Sequence, residues 1–260
     1  MKIEKFYLDD GTFIRFKKIG NGTPILLLHT FRNRLEYSDK LGKLLEDKFT
    51  VYSIDLPGFG DSPINTSTNY NLDFFTKSIV SFIKKLRMKN LTIAGESIGA
   101  TLAASVSVEL PKVVKKILMF NTYDYDSYFG EGIQRGNFFA KFILFHVSLP
   151  VVGVLFSSLE NKFILKNIMS GGFFDKTKLP DSYLNLLCTS LKKKGYVNKW
   201  SLTDSKNRYD SLYILLFALQ RKKYKIIQIG ANDGEKADPI KPAIIAKIRY
   251  MVPISLWLVE

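Results

Sequence analysis

The sequence predicts an α/β fold: a mostly parallel central sheet flanked by helices and interrupted by an inserted, mainly helical cap. Short apolar runs alternate with helical patterns over the first half of the chain, which is typical of a parallel sheet with crossover helices. Region 122–220 lacks this alternation and is rich in aromatic residues, and a strand pattern returns at 225–230. We therefore expect a core at 1–121 and 221–260 and a cap at 122–220.

Turn residues and apolar spacing give the individual elements. Asp-Gly at positions 10 and 11 supplies the positive φ of a hairpin turn, and the continuous apolar run Pro24–His29 is typical of a central strand buried on both faces. Small residues follow Ile98 and allow a closely packed helix, which Pro111 closes. The predicted elements are a hairpin at 2–18, strands at 24–29, 49–54, 91–94, 115–121, 225–230 and 254–259, and helices at 36–45, 72–86, 98–110 and 239–249.

The charge is strongly basic, with a formal net charge of +14 over 260 residues. Clustered cations favour nucleic acids or anionic membranes, but the lysines here form short scattered groups without a nucleic-acid motif. We interpret them as a solvated surface and expect no nucleic-acid partner. The single cysteine, Cys188, excludes an internal disulfide and is expected to be a small buried hydrophobe. We expect no metal and no cofactor.

The N-terminal residues alternate charged and apolar groups, so they lack the apolar stretch of a secretory signal. The longest apolar run, 142–156, is interrupted by His146 and Pro150 and is shorter than the roughly 20 residues of a spanning helix. We therefore expect a cytoplasmic protein without a transmembrane segment. Weak contact of this run with a membrane surface is the alternative.

The strongest local motif is Gly95-Glu96-Ser97-Ile98-Gly99, which lies between a predicted strand and a helix rich in small residues. The glycines are expected to permit a turn so tight that Ser97 is strained and presents its hydroxyl at the end of the sheet. The N-terminus of the following helix favours a developing oxyanion. Ser97 is therefore a candidate nucleophile, and a serine that only caps the helix is the alternative.

The sequence resembles the α/β-hydrolase family in the PILLLH strand with its loop, the DLPGFGDS segment, the elbow at 95–99 and IGAND at 229–233. The resemblance implies that the backbone N–H groups of Phe31 and Ile98 form an oxyanion hole. It also implies that Asp233 is the acid of a catalytic triad, with Asp124 as the alternative. Thr30 stands where the family usually has glycine, and its Cβ restricts the backbone at the hole.

The family's general base is a histidine beyond the last strand, whereas the two histidines of this sequence are His29 and His146. We expect His29 to hold the loop by hydrogen bonds and His146 to pack within the cap. Two explanations of the missing base stay open. We expect a C-terminally incomplete copy of an ordinary hydrolase, and the alternative is a complete chain that has lost its base and binds a ligand or partner as a scaffold.

The resemblance also makes the cap the roof of a substrate pocket, and the cap is rich in aromatic side chains. Tyr123 and Phe142 from the cap, with Thr30 and Glu96 from the core, are the expected pocket residues. We expect a small, apolar or aromatic substrate with an ester or related acyl bond. Epoxide and haloalkane hydrolysis is disfavoured because those relatives need a carboxylate at position 97.

Overall fold

The computed structural model describes residues 2–30, 32–120, 158–170, 179–193 and 225–229. Its strands form one sheet in the order β1-β2-β4-β3-β5-β6-β7. The pairs β1–β2 and β2–β4 are antiparallel, and the remaining neighbours are parallel. The strands are β1 (Ile3–Tyr7), β2 (Phe13–Ile19), β3 (Thr23–Leu28), β4 (Phe49–Ile54), β5 (Leu91–Glu96), β6 (Val114–Phe120) and β7 (Lys225–Ile229).

Five α-helices accompany these strands in the described part of the chain: α1 (Asp39–Leu45), α2 (Leu72–Lys85), α3 (Ile98–Glu109), α4 (Lys162–Ser170) and α5 (Asp181–Leu191). A 3-10 turn at Leu35–Ser38 leads into α1. The side chain of Asn71 caps α2 by accepting the Phe74 N–H at 2.8 Å, which satisfies a donor that the helix itself leaves unpaired.

The main core lies between the sheet and the helices α2 and α3. Leu26 of β3, Ile93 of β5 and Phe82 of α2 are each fully buried. The expected close packing of α3 is confirmed, because Ala100, Ala103 and Ala104 are no more than 1% exposed. The small side chains let the backbone of α3 approach the sheet directly, so the two ends of the Ser97 turn rest on rigid elements.

Most of the predicted elements from residue 2 to residue 120 are confirmed, including the hairpin, where Gly11 has φ +77°. The stretch expected as one helix at 36–45 is a 3-10 turn followed by α1. The strand at 225–230 is confirmed as β7, the parallel neighbour of β6. The predicted helix at 239–249 and the strand at 254–259 lie outside the described residues.

The elements that the structure describes within 122–220 are the helices α4 and α5, and β6 and β7 are neighbours although the chain between them is long. The proposed boundaries of the cap and the core remain a prediction.

The interpretation of the lysine groups as solvated surface is wrong for Lys17. This side chain lies in β2 and is 7% exposed, and its Nζ donates to both carboxylate oxygens of Asp39 at 2.9 and 2.8 Å. The reason is that the 3-10 turn and α1 cover this face of β2 and place carboxylates opposite its cations.

Candidate active site

Ser97 is the one residue between β5 and α3. Its backbone has φ 53° and ψ −118°, a combination that non-glycine residues rarely adopt and that costs of order 1–3 kcal/mol. The Ser97 N–H donates to the carbonyl of Phe120 at the end of β6, at 2.9 Å. The serine is half-buried, so the turn keeps its side chain accessible while its backbone is fixed.

The two glycines of the motif have a different role from the one expected. Neither has a positive φ; the strained conformation belongs to Ser97 itself. A Cβ on Gly95 would lie 2.1 Å from the Gly99 carbonyl oxygen, and one on Gly99 would lie 2.5 Å from the Leu28 carbonyl oxygen. Close approach of backbone to backbone, not rotational freedom, therefore requires glycine at both positions.

This contact brings the elbow against the end of β3, where the loop with the proposed oxyanion donor begins. A Cβ on Gly99 would also lie 2.9 Å from the carbonyl oxygen of His29. Ile98 is the first residue of α3, so its N–H has no acceptor within the helix. Both Ile98 and Thr30 are half-buried. The start of α3 and the start of the loop after β3 are thus immediate neighbours.

His29 has the expected structural role. It is 4% exposed, its Nδ1 lies 2.7 Å from the Thr30 carbonyl oxygen, and its Nε2 accepts the Leu56 N–H at 3.0 Å. Because Nε2 is an acceptor, the ring proton is on Nδ1 and donates to Thr30. The ring therefore holds Thr30 in the loop after β3 through Nδ1 and joins that loop to the loop after β4 through Nε2, so neither nitrogen is available to Ser97.

A network of buried charges fixes the loop after β3. Asp55 is fully buried: its Oδ1 accepts the Leu35 N–H at 2.7 Å, and its Oδ2 accepts the Asp61 N–H at 2.7 Å and Arg15 Nε at 2.6 Å. Asp55 therefore fixes the loop after β4 by accepting the N–H of Asp61. Burial makes each of these charge-assisted bonds stronger than it is in water.

Glu36 joins two arginines of this network. Its Oε2 accepts from Arg34 Nε at 2.7 Å and from Arg15 Nη2 at 2.8 Å. Burial alone would raise the pKa of Glu36, but the hydrogen bonds and charges of Arg34 and Arg15 outweigh it and hold the pKa at about 2. Glu36 is therefore ionised throughout the physiological pH range.

This pairing predicts acid sensitivity. The folded-state pKa of Glu36 is depressed, so its stabilisation is complete above pH 4.5 and is lost as the pH falls from 4.5 towards 2. We expect the difference in unfolding free energy between the wild type and Glu36→Gln to shrink by about 2 kcal/mol over that range. Urea unfolding at a series of pH values measures it, and a constant difference would contradict the assignment.

Helix α5 and the residues directly after it contact the loops after β3 and β4 through several polar groups. Arg34, which is 1% exposed, donates from Nη1 to the Leu186 carbonyl at 3.0 Å and to Thr189 Oγ1 at 3.1 Å. Lys193 Nζ donates to the Ser62 carbonyl at 2.5 Å, and burial lowers the pKa of Lys193 to about 8 although Asp55 and Asp61 oppose this. Near α4, Arg32 pairs with Glu160 at 2.5 Å.

The structure brings together four of the sequence-predicted residues: Ser97, Ile98 and Glu96 in the elbow and Thr30 beside it. The others, namely Phe31, Tyr123, Asp124, Phe142, His146 and Asp233, lie outside the described residues. Sequence reasoning missed Asn33 and Arg34, which contact α5, and Tyr37 and Tyr183, which interact with Glu96 of the elbow. Their only signal was their position in or near the loop that follows β3, and for Tyr183 there was none.

In the part of the chain that the structure describes, no three His, Cys, Asp or Glu side chains converge as metal ligands. None of the helices described there has the length and apolar character needed to cross a membrane. Cys188, on α5, is half-buried rather than buried, and burial raises the pKa of its thiol.

Comparison with known proteins agrees with this geometry. The sequence profile of the α/β hydrolase fold matches residues 23–141. Among solved structures, Cfl2 from Burkholderia cenocepacia superposes with a TM-score of 0.71 at 16% identity, covering 88% of this chain and 87% of that one. The epoxide hydrolase CorEH gives a TM-score of 0.71 at 14% identity over 88% and 90% of the two chains. The chain therefore has the α/β-hydrolase fold.

Curated relatives match a little under half of the chain. The hydrolase YugF of Bacillus subtilis is 24% identical over 118 residues, which is 45% of this chain and 43% of that protein. The pimeloyl-[acyl-carrier protein] methyl ester esterase of Pseudoalteromonas atlantica is 28% identical over 111 residues, or 43% of this chain and 42% of the esterase. The match spans less than half the length of each of these relatives.

Proposed function

We propose that this protein is a serine hydrolase that cleaves an ester or related acyl bond of a small substrate. The observation that carries the proposal is the backbone of Ser97, held at φ 53° and ψ −118° between β5 and α3. Such strain persists only where surrounding structure enforces it, and it clusters at functional sites. The esterase named among the relatives supports the same class of reaction.

In this proposal Ser97 Oγ attacks the carbonyl carbon of the substrate, and the hydroxyl proton passes to a general base. The oxyanion of the tetrahedral intermediate accepts hydrogen bonds from the N–H groups of Ile98 and Phe31, each worth roughly 3 kcal/mol of barrier. Collapse of the intermediate breaks the bond to the leaving oxygen, which receives the proton from the base and departs as the alcohol, and leaves an acyl-serine. Water, deprotonated by the same base, then attacks the acyl carbon and releases the acid, and the proton returns to Ser97 Oγ. Asp233 is the proposed triad acid, with Asp124 as its alternative.

The substrate proposal rests on the pocket side chains. Glu96 lies in the elbow and Thr30 beside it, and Tyr123 and Phe142 are proposed to complete an apolar roof from the segment between β6 and β7. Aromatic rings bury large apolar areas, so an apolar or aromatic acyl group is the proposed substrate class.

A second candidate is a non-catalytic scaffold that binds a ligand or partner. The observation in its favour is His29, whose two ring nitrogens are both engaged in joining loops. A serine hydroxyl without a base is a weak nucleophile at neutral pH.

A fluorophosphonate probe distinguishes the two candidates. We expect stoichiometric phosphonylation of Ser97, located by peptide mass spectrometry, and complete loss of labelling in Ser97→Ala. The folded state of that variant, checked by circular dichroism, is the control. Labelling that persists in Ser97→Ala, or a folded wild type that is not labelled, would reject the hydrolase proposal and favour the scaffold.

A further inference from the structure

We propose that Tyr183 of α5 is a positioning residue that fixes the loop after β3 relative to the Ser97 elbow. The effect of Tyr183 on catalysis rests on the proposed function. The effect of Tyr183 on the position of the loop does not, because it can be measured by amide hydrogen exchange without any activity.

The first contact links Tyr183 to the loop. Tyr183 is 8% exposed, and its hydroxyl donates to Oδ1 of Asn33, which is 2% exposed. The same oxygen accepts the Arg34 backbone N–H at 2.9 Å, and the Asn33 N–H donates to the Thr30 carbonyl at 3.3 Å. Asn33 thereby links Thr30 and Arg34, and the proposed oxyanion donor Phe31 lies between Thr30 and Asn33 in the sequence.

The second contact links the same aromatic pair to the elbow. The Tyr37 ring lies 6.3 Å from the Tyr183 ring, centroid to centroid. The Tyr37 hydroxyl donates to the carboxylate of Glu96, the residue directly before Ser97, and burial together with the charge of Glu96 raises the pKa of Tyr37 well above its usual value. The pair of tyrosines therefore contacts both the loop after β3, through Asn33, and the elbow, through Glu96.

Asn33 is buried, so water cannot replace its hydrogen bond to Tyr183. Its Nδ2 is buried and has no acceptor within the described residues, so the amide is anchored through its oxygen. Without the Tyr183 hydroxyl, Asn33 Oδ1 keeps the hydrogen bond from the Arg34 N–H but loses the one from α5. The loop after β3 is then held less firmly. Oxyanion donors act only at about 2.7–3.1 Å from the developing charge, so a looser loop lowers the rate of the chemical step more than it lowers binding.

Tyr183→Phe tests the proposal, because it removes one oxygen and keeps the ring. We expect the maximal phosphonylation rate constant to fall about ten-fold, with the half-saturating probe concentration unchanged. Tyr7→Phe is the matched control: Tyr7 lies on β1 and is 66% exposed, so the loss of its hydroxyl leaves both constants unchanged. An unchanged rate constant in a folded Tyr183→Phe protein would overturn the catalytic role.

Amide hydrogen exchange provides the readout that is independent of activity. In Tyr183→Phe, peptides covering 29–35 are expected to exchange roughly five-fold faster, whereas peptides from β3 and β5 exchange as in the wild type. Unchanged exchange at 29–35, or equal acceleration throughout the sheet, would overturn the positioning role. If the wild type is not phosphonylated, the proposed function fails, and the exchange result still decides whether Tyr183 positions the loop.

Discussion

Asp55→Asn is expected to destabilise the protein by about 3–5 kcal/mol, because it removes the fully buried carboxylate of the network and leaves Arg15 with Glu36 and Asp61 as its charged partners. Arg15 Nε lies 2.6 Å from Asp55 Oδ2, and the two side chains are 7% and 0% exposed. Both oxygens of Asp55 already accept N–H groups, from Leu35 and Asp61. An amide NH2 at either position would therefore face a donor.

The effect is measured as the free energy of unfolding in urea. Asp73→Asn is the matched control, since its pair with Lys77 at 2.7 Å lies on the surface, with the side chains 66% and 76% exposed. That substitution is expected to change stability by no more than about 0.5 kcal/mol. A loss below 1 kcal/mol in Asp55→Asn would show that the network does not depend on this carboxylate.

Gly99→Ala is expected to displace the elbow from the end of β3 and so to move Ser97 out of its position for attack. The new Cβ would lie 2.5 Å from the Leu28 carbonyl oxygen, which belongs to a central strand and cannot move aside as a flexible side chain does. We expect phosphonylation of Ser97 to slow by at least about 100-fold, with a loss of about 1–3 kcal/mol in stability.

Gly42→Ala is the control for that substitution. Gly42 lies within α1, and its Cβ would lie 3.1 Å from the tip of the Ile19 side chain and 3.8 Å from Val51 Cγ1, so it would touch side chains and no backbone. Alanine is also the better helix former. Stability and labelling are expected to match the wild type. Normal labelling of Gly99→Ala would mean that the elbow tolerates a side chain at the contact with β3. It would contradict the conclusion that close approach of the backbone requires glycine at position 99.

The elbow could be predicted from sequence because its signal is local. Five consecutive residues specify the turn, and the strand before it and the small-residue helix after it are visible in the same 20 residues. Even so, the reason for the glycines was not visible, since the atoms that exclude a Cβ at Gly99 belong to Leu28 and His29, about 70 positions earlier.

The buried charges could not be predicted, because their partners are distant in sequence. In β2, Arg15 and Lys17 alternate with apolar residues, which is the pattern of a strand with one solvated face. That face is instead covered, and Arg15 finds Glu36 and Asp55, 21 and 40 positions away. The contacts of α5 with Asn33 and Arg34 span about 150 positions, and no pattern within either segment encodes them.

The adjacency of β6 and β7 has a consequence for the synthesis of the protein. Residues 121–224 must emerge from the ribosome before β7 can pair, and closing a connection of roughly a hundred residues costs about 2 kcal/mol more than closing one of ten. The growing chain therefore exposes the free edge of β6 while it is being made. Lys115 and Lys116 are exposed at the start of this apolar strand, where charges discourage pairing with other nascent chains.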